Sequence, residues 1–278
     1  LTPIGSIAQD IRLVRDELRR DATLLDTVLN PDTAGTPRLL ASLIVEAGWL
    51  TGLRPAEWAE AGVFTRTEGQ TGWIPVIHRL GDTLKVLGDT PAHHAQTFAT
   101  AAQDLLNADE VWLWVKSAKS NWVQMRGLDI TALRPEQQET IVYTCWTTQS
   151  LGWCHNPDGE DPAVFDRLQR WNPDKPCGDS RPKRNVRYAL ERASQAVLGR
   201  KISPNMLRHA FPDRARALHS RAEVMALAGH ASEHTQSHYG RRGRSRRNLD
   251  KESTLGIRPG PALVRQIQAV LKLKNVPP

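Results

Sequence analysis

Residues 203–239 read SPNMLRHAFPDRARALHSRAEVMALAGHASEHTQSHY, and the folding class of the whole chain turns on them. Ser203-Pro204 has the form of a helix start, with a hydroxyl residue to cap and a proline in the first turn. The run it opens carries Arg208 and His209 side by side. A second apolar run over 221–229 is stopped by Gly229, and His230 stands just beyond the stop. Tyr239 follows nine residues after His230 and is succeeded at once by the basic string Arg241, Arg242, Gly243, Arg244, Ser245, Arg246, Arg247. Arginine, histidine and tyrosine beside a polycation suggest phosphate chemistry. A guanidinium grips phosphate oxygens with a fixed fork of donors, and a phenol attacks phosphorus once its proton and the developing charge are managed.

Charge points the same way. The chain has 278 residues, 37 Lys or Arg and 30 Asp or Glu, for a net +7. Between Asp179 and Lys251 there are 17 basic and 6 acidic residues, a surplus of 11, so the rest of the chain is slightly acidic. A localised basic half is the footprint of a polyanion binder, although a solubilising surface has the same composition. No stretch reaches the roughly 18 apolar residues of a membrane span, and no signal peptide is visible. Cys145, Cys154 and Cys177 are too few and too irregularly spaced for a disulfide framework or a paired Cys-x-x-Cys zinc site; Cys154-His155 with Cys177 is a minor alternative for a metal. Cysteine usage fits a reducing cytoplasm.

Leu207-Arg208-His209, Ala228-Gly229-His230, Thr235 and Tyr239 together resemble the carboxy-terminal signature of the tyrosine recombinases, the phage-integrase family. The gap from Arg208 to His230 is 22 residues, and that from His230 to Tyr239 is 9. Order, spacing and neighbours all agree. A second motif, Thr51-Gly52-Leu53-Arg54-Pro55-Ala56-Glu57, is similar to the family's helix end that carries its first phosphate-binding arginine, with an acidic brace three residues on. Read alone, Arg54 is also a plain helix-terminal cation.

The remaining segments can be taken in order. Residues 7–30 have the three- and four-residue spacing of one amphipathic helix or two abutting ones. Asn30-Pro31-Asp32 breaks the run, and Thr36-Pro37 opens a core helix that Gly52 should end. Alternating apolar stretches between Phe64 and Leu87 suggest strands, and 92–106 suggests a helix. The adjacent His93 and His94 point in different directions on such a helix, so a solvated face is expected rather than a metal site. Residues 111–131 read as a β-hairpin, with strands at Val111–Val115 and Trp122–Arg126. Helices are expected over 134–150, 183–199 and 261–273, with a long irregular loop over 152–182. The tail after Lys251 is polar until Pro261.

What the resemblance implies is specific. The fold would be α+β and mainly helical, a catalytic domain with a small antiparallel sheet. Residues 1–35 would be an amino-terminal helix and linker, the remnant of a DNA-clamping domain cut away or reduced. Residues 36–250 would form the catalytic domain with an insertion at about 60–110, and 251–278 a tail with a docking helix, in cis or on a neighbouring subunit. Arg54 and Arg208 would neutralise the nonbridging oxygens of a phosphodiester, and His230 would donate a hydrogen bond to it. Tyr239 would be the nucleophile, forming a 3′-phosphotyrosyl link. Lys119 on the hairpin would protonate the 5′ oxygen, with Lys116 as its competitor for that role. Glu57 would brace the site. The family usually has a histidine three residues before the second arginine; here it is Asn205, which can bond a phosphate but cannot shuttle a proton. His209 lies about 40° from position 205 on a helical wheel and is the possible substitute. Lys116, Arg184, Arg187 and Arg241, Arg242, Arg244, Arg246 and Arg247 would contact DNA.

The expected function is site-specific DNA recombination, for integration, excision or resolution of a mobile element. It would act as a tetramer on paired double-stranded sites, in the cytoplasm at the nucleoid, with no cofactor, metal or membrane. A type IB topoisomerase-like enzyme and a sequence-specific DNA-binding protein with a weakened active site are the alternatives.

Overall fold

The computed structural model describes residues 4–20, 36–76, 101–116, 125–150, 181–229 and 256–274. Within them the chain is α+β and mainly helical, with one small antiparallel sheet. The helices are α1 (Ile4–Arg19), α2 (Thr36–Thr51), α3 (Pro135–Ser150), α4 (Arg181–Leu198), α5 (Pro204–Ala215), α6 (Arg221–Ala228) and α7 (Pro261–Lys274). A 3₁₀ helix covers Pro55–Glu60, and 101–106 is also helical. The strands are β1 (Ala61–Arg66), β2 (Ile74–Pro75), β3 (Glu110–Lys116), β4 (Met125–Asp129) and β5 (Arg258–Pro259), in the sheet order β2-β1-β3-β4-β5.

The sequence LLASLIVEAGWL makes α2 apolar nearly all round, and such a helix has to be enclosed. One side packs with Ile11, Val14 and Leu18 of α1, Val186 and Leu190 of α4, and Leu207 and Ala210 of α5. The other side, through Ala47 and Leu50, joins a second core with Leu53, Trp58, the inner face of the sheet, Ile141 and Val142 of α3, and Phe211. Two cores therefore share one helix, and the end of that helix lies where the chain's chemistry was expected. Arg214 ties α5 to α2 from within. It donates to the Trp49 carbonyl at 2.6 Å, and its guanidinium stacks 3.5 Å from the Trp49 ring centroid.

Strand β3 alternates strictly. Val111, Leu113 and Val115 enter the core, while Trp112 and Trp114 cover the outer face and stack with ring centroids 6.1 Å apart. Several elements differ from expectation. The first helix begins at Ile4, ahead of the expected start at Ile7, and 21–30 lie outside the described residues. The region read as holding an insertion supplies β1, which pairs along its whole length with β3, and β2, which pairs with β1. The return strand of the hairpin, described over Met125–Asp129, runs past the expected end at Arg126, because Gly127, Leu128 and Asp129 have partners on β3; 122–124 lie outside the described residues. The tail contributes β5, in which Arg258 and Pro259 pair with Asp129 and Leu128. Two residues carry no periodicity, so pattern reading could not have found that strand. Helix α7 lies on α6 of the same chain, with Ile267 against Ala222, Met225 and Ala226. No described helix is long and apolar enough to cross a membrane.

Gly52 ends α2 in the left-handed conformation, φ 66°. A methyl group there would lie 2.4 Å from the Phe211 ring, in contact with the second core. Gly52→Ala is expected to lower the unfolding free energy by about 3 kcal/mol, from the positive φ and the overlap together. Gly72→Ala, whose methyl would meet nothing within 4 Å, should change it by less than about 0.5 kcal/mol. Urea denaturation of the two variants beside the wild type checks both.

Candidate active site

The segment Thr51–Glu57 forms its part of the site by local rules. Gly52 N–H bonds back to the Gly48 carbonyl at 2.9 Å, and the positive φ turns the chain out of α2. Arg54 is extended (φ −70°, ψ 148°) and caps the 3₁₀ helix, whose first residue is Pro55. Glu57, at the third helical position, reaches back and accepts the Arg54 backbone N–H at 2.7 Å. This bond fixes the carboxylate in the interior, with its side chain wholly buried.

Three guanidiniums surround it. Arg126 Nη2 donates to Glu57 Oε2 at 3.0 Å, Arg208 Nη1 to the same oxygen at 3.4 Å, and Arg54 Nη1 to Oε1 at 3.4 Å. Arg126 and Arg208 also satisfy helix ends. Arg126 Nη1 donates to the Leu227 carbonyl at 2.8 Å, and Arg208 Nη2 to the Ala228 carbonyl at 2.7 Å, two of the last carbonyls of α6. Arg208 Nη1 further donates to the Gly52 carbonyl at 3.1 Å. Four chain segments thus meet at one carboxylate: the end of α2, strand β4, helix α5 and the end of α6. Gly229 closes α6 with φ 63°, and a methyl group on it would come within 2.3 Å of Arg126 Nη1.

The charges are uneven, three cations to one anion. Burial pushes the Glu57 carboxyl up, but Arg126, Arg208, the Arg54 N–H and the Arg54 guanidinium together outweigh it and hold the group below the ordinary carboxylate range. Burial draws Arg126 down to about 10, against the pull of Glu57, and it remains a cation at neutral pH. The cluster therefore carries a surplus of two positive charges. Its outer edge is Arg54, whose side chain is 18% exposed, against 4% for Arg208 and 0% for Arg126. Such an arrangement can take an anion at the Arg54–Arg208 edge, with Glu57 and Arg126 behind.

Of the predicted site residues, Arg54, Glu57 and Arg208 are brought together. Arg208 takes Glu57 as an acidic partner, and Glu223 completes the cap of α6 with Ser220. Asn205 and His209 are both exposed on α5. Lys116 is the last residue of β3, paired with Met125, and Arg184 lies in α4. Arg187 is exposed and bonded to Glu191 at 2.7 Å. Lys119, His230, Tyr239 and the arginines at 241, 242, 244, 246 and 247 lie outside the described residues, as do His93, His94, Cys154 and Cys177. A surface cavity of about 460 Å³, lined by Glu17, Arg38, Tyr188 and Arg192, contains none of the predicted catalytic residues.

Sequence reading missed Arg126. The available signal was parity: on β4 it faces the same side as Leu128, and it pairs with Val115, a core residue. An arginine at a core position requires a buried acceptor, which Glu57 supplies.

No protein-family model matches this chain, and comparisons with curated proteins and with solved structures find no match either.

Glu57→Gln should cost about 3–5 kcal/mol of stability at pH 7, because it removes the one anion among buried cations. The carboxyl is depressed in the folded state, so its contribution is present above the unfolded value of about 4.3. It is lost as pH falls through the lower folded value. The gap between wild type and Glu57→Gln in urea titrations should therefore be widest near neutrality and close progressively below about pH 4.

Proposed function

We propose that the chain is a tyrosine-type site-specific recombinase that cleaves and rejoins DNA through Tyr239. The single observation that carries this reading is the meeting of Arg54 and Arg208, from two motifs far apart in the chain, at the buried Glu57. Two arginines held by one internal carboxylate fit the task of gripping a phosphodiester. They neutralise the nonbridging oxygens, keep their protons near neutral pH, and present donors in a fixed plane.

On this reading the phenol oxygen of Tyr239 attacks phosphorus in line, losing its proton as it does so. A phosphorus–tyrosine bond forms and the bond to the 5′ oxygen breaks. Lys119, in the segment of sequence between β3 and β4, protonates the departing oxygen, and His230 bonds to a nonbridging oxygen. The 3′-phosphotyrosyl link conserves the energy of the cleaved bond, so rejoining needs no nucleotide. Paired sites and a tetramer of subunits follow from the same resemblance, as do the finer family fold and action at the nucleoid. The basic string from Arg241 to Arg247 adds affinity for any DNA and no sequence preference. Asn205, exposed at the start of α5 where the family has histidine, favours a second reading: a DNA-binding relative with a weakened active site.

Nicked suicide duplexes separate the two. Binding sites are selected from a random duplex pool, nicked beside each candidate position, and incubated with wild type, Tyr239→Phe, Lys119→Ala and Lys116→Ala. The expected result is a covalent protein–DNA band in wild type, none with Tyr239→Phe, and a loss of about 100-fold or more in rate with Lys119→Ala but not Lys116→Ala. Tight specific binding with no covalent band on any nicked site would leave the DNA-binding reading. Covalent relaxation of plasmids with no need for a pair of sites would favour a topoisomerase.

A further inference from the structure

The geometry points to Arg126 as the positioning residue of this site: by taking up Glu57 and the Leu227 carbonyl, it keeps Arg208 set for a phosphate and fixes the turn that leads into His230. The inference rests on reading the Arg54–Arg208 edge as a phosphate site.

Three observations support it. First, Arg126 and Arg208 compete for one atom, Glu57 Oε2, at 3.0 and 3.4 Å. Arg126 holds the closer place. Without it the carboxylate would draw Arg208 Nη1 inward, away from the Gly52 carbonyl it now also serves at 3.1 Å. The guanidinium fork would then turn from the outer edge toward the interior. Second, Arg126 has no exposed surface, so it is not itself a phosphate ligand. Its effect has to pass through the groups it holds. Third, the contact with α6 is close enough that a side chain at position 229, where φ is positive, would displace the Arg126 guanidinium. A methyl group there would stand 2.3 Å from Nη1 and 2.9 Å from Cζ of Arg126. Gly229, the residue before His230 in the sequence, is thus seated directly on the Arg126 guanidinium, while the backbone of Arg126 belongs to β4. One side chain joins strand β4, the brace of the two phosphate arginines and the end of α6.

The test uses full-length wild type, Arg126→Met, Arg126→Lys, Glu57→Gln and the Arg126→Met/Glu57→Gln double variant. Each is first compared for folded content by circular dichroism. Affinity for inorganic phosphate is measured by calorimetry, and the rate of covalent capture is measured on a nicked duplex at saturating DNA. Arg126→Met is expected to bind phosphate about tenfold more weakly and to capture DNA about 100-fold more slowly at saturation. Adding Glu57→Gln should restore about tenfold of that rate, because a neutral amide no longer pulls Arg208 inward. Arg126→Lys should be intermediate, since one ammonium cannot span both acceptors in the same fork. A purely structural role predicts the opposite for the double variant, which would be no faster than Arg126→Met.

Wild-type phosphate affinity and capture rate in folded Arg126→Met would overturn the inference, as would a double variant without recovery. If Arg126→Met does not fold, Arg126→Lys and the charge-neutral double variant decide by the same two readouts. If wild type binds phosphate but never captures DNA, the strand-cleavage reading fails, and the phosphate affinities alone decide the role of Arg126. If wild type binds no phosphate, both fail.

Discussion

A single carboxylate, that of Glu57, determines how the rest of this protein can be arranged. It is fully buried and touches three arginines, which come from the end of α2, from β4 and from α5. Placing an ion in a protein interior costs several kcal/mol after relaxation, and that cost is offset only when the geometry satisfies nearly every donor and acceptor. Here the carboxylate accepts from one backbone N–H and three guanidiniums. The arginines also donate to the carbonyls of Gly52, Leu227 and Ala228, while Nε of Arg126 is buried without a hydrogen-bond partner among the described residues. Those carbonyls belong to chain ends that no helical bond can satisfy. The ionic cluster and the helix termini thus complete one another, and neither would be tolerable in the interior alone.

This accounts for the architecture around it. Helix α2 has to be enclosed because its sequence is apolar nearly all round, and enclosing it brings both cores to its end at Thr51. Gly52 turns the chain there with a conformation that a side chain would strain, beside the Phe211 ring. Helix α6 is short, with eight residues, and its carboxyl end needs external donors more than a long helix would. Arg126 and Arg208 provide them. The positive φ at Gly52 and that at Gly229 are the two backbone devices by which separate helices deliver their ends to the same cluster.

Legibility in the sequence divided along physical lines. Thr51–Glu57 could be read because its structure is local: a glycine stop, a proline at the first helical position and a glutamate at the third each act within four residues. Arg208 could be placed on its helix because Ser203-Pro204 marks the start. Helix α6 and its stop at Gly229 were equally local. Arg126 was not recognised because its role depends on pairing. Its strand looks unremarkable until Val115 is known to lie opposite and Glu57 behind. Strand β5 was illegible for the same reason: Arg258 and Pro259 form a strand only because Asp129 and Leu128 offer an edge. The region expected to hold an insertion contributes β1, whose place in the middle of the sheet is a non-local fact.

The choice of arginine at the interior positions has a physical reason that bears on the proposed chemistry. Burial disfavours a cation, and Arg126 is drawn down to about 10 even with Glu57 beside it. A lysine begins about two units lower in water, and the same burial would carry it toward neutrality at physiological pH. The surplus of positive charge around Glu57 would then be smaller, and with it the attraction for a phosphate. Arginine keeps a permanent charge where charge is required. A group that must surrender a proton to a departing oxygen faces the opposite demand, since its proton has to be transferable. On the proposed reading these two demands fall on different parts of the chain: permanent cations in the buried cluster, and Lys119 in the segment of sequence between β3 and β4.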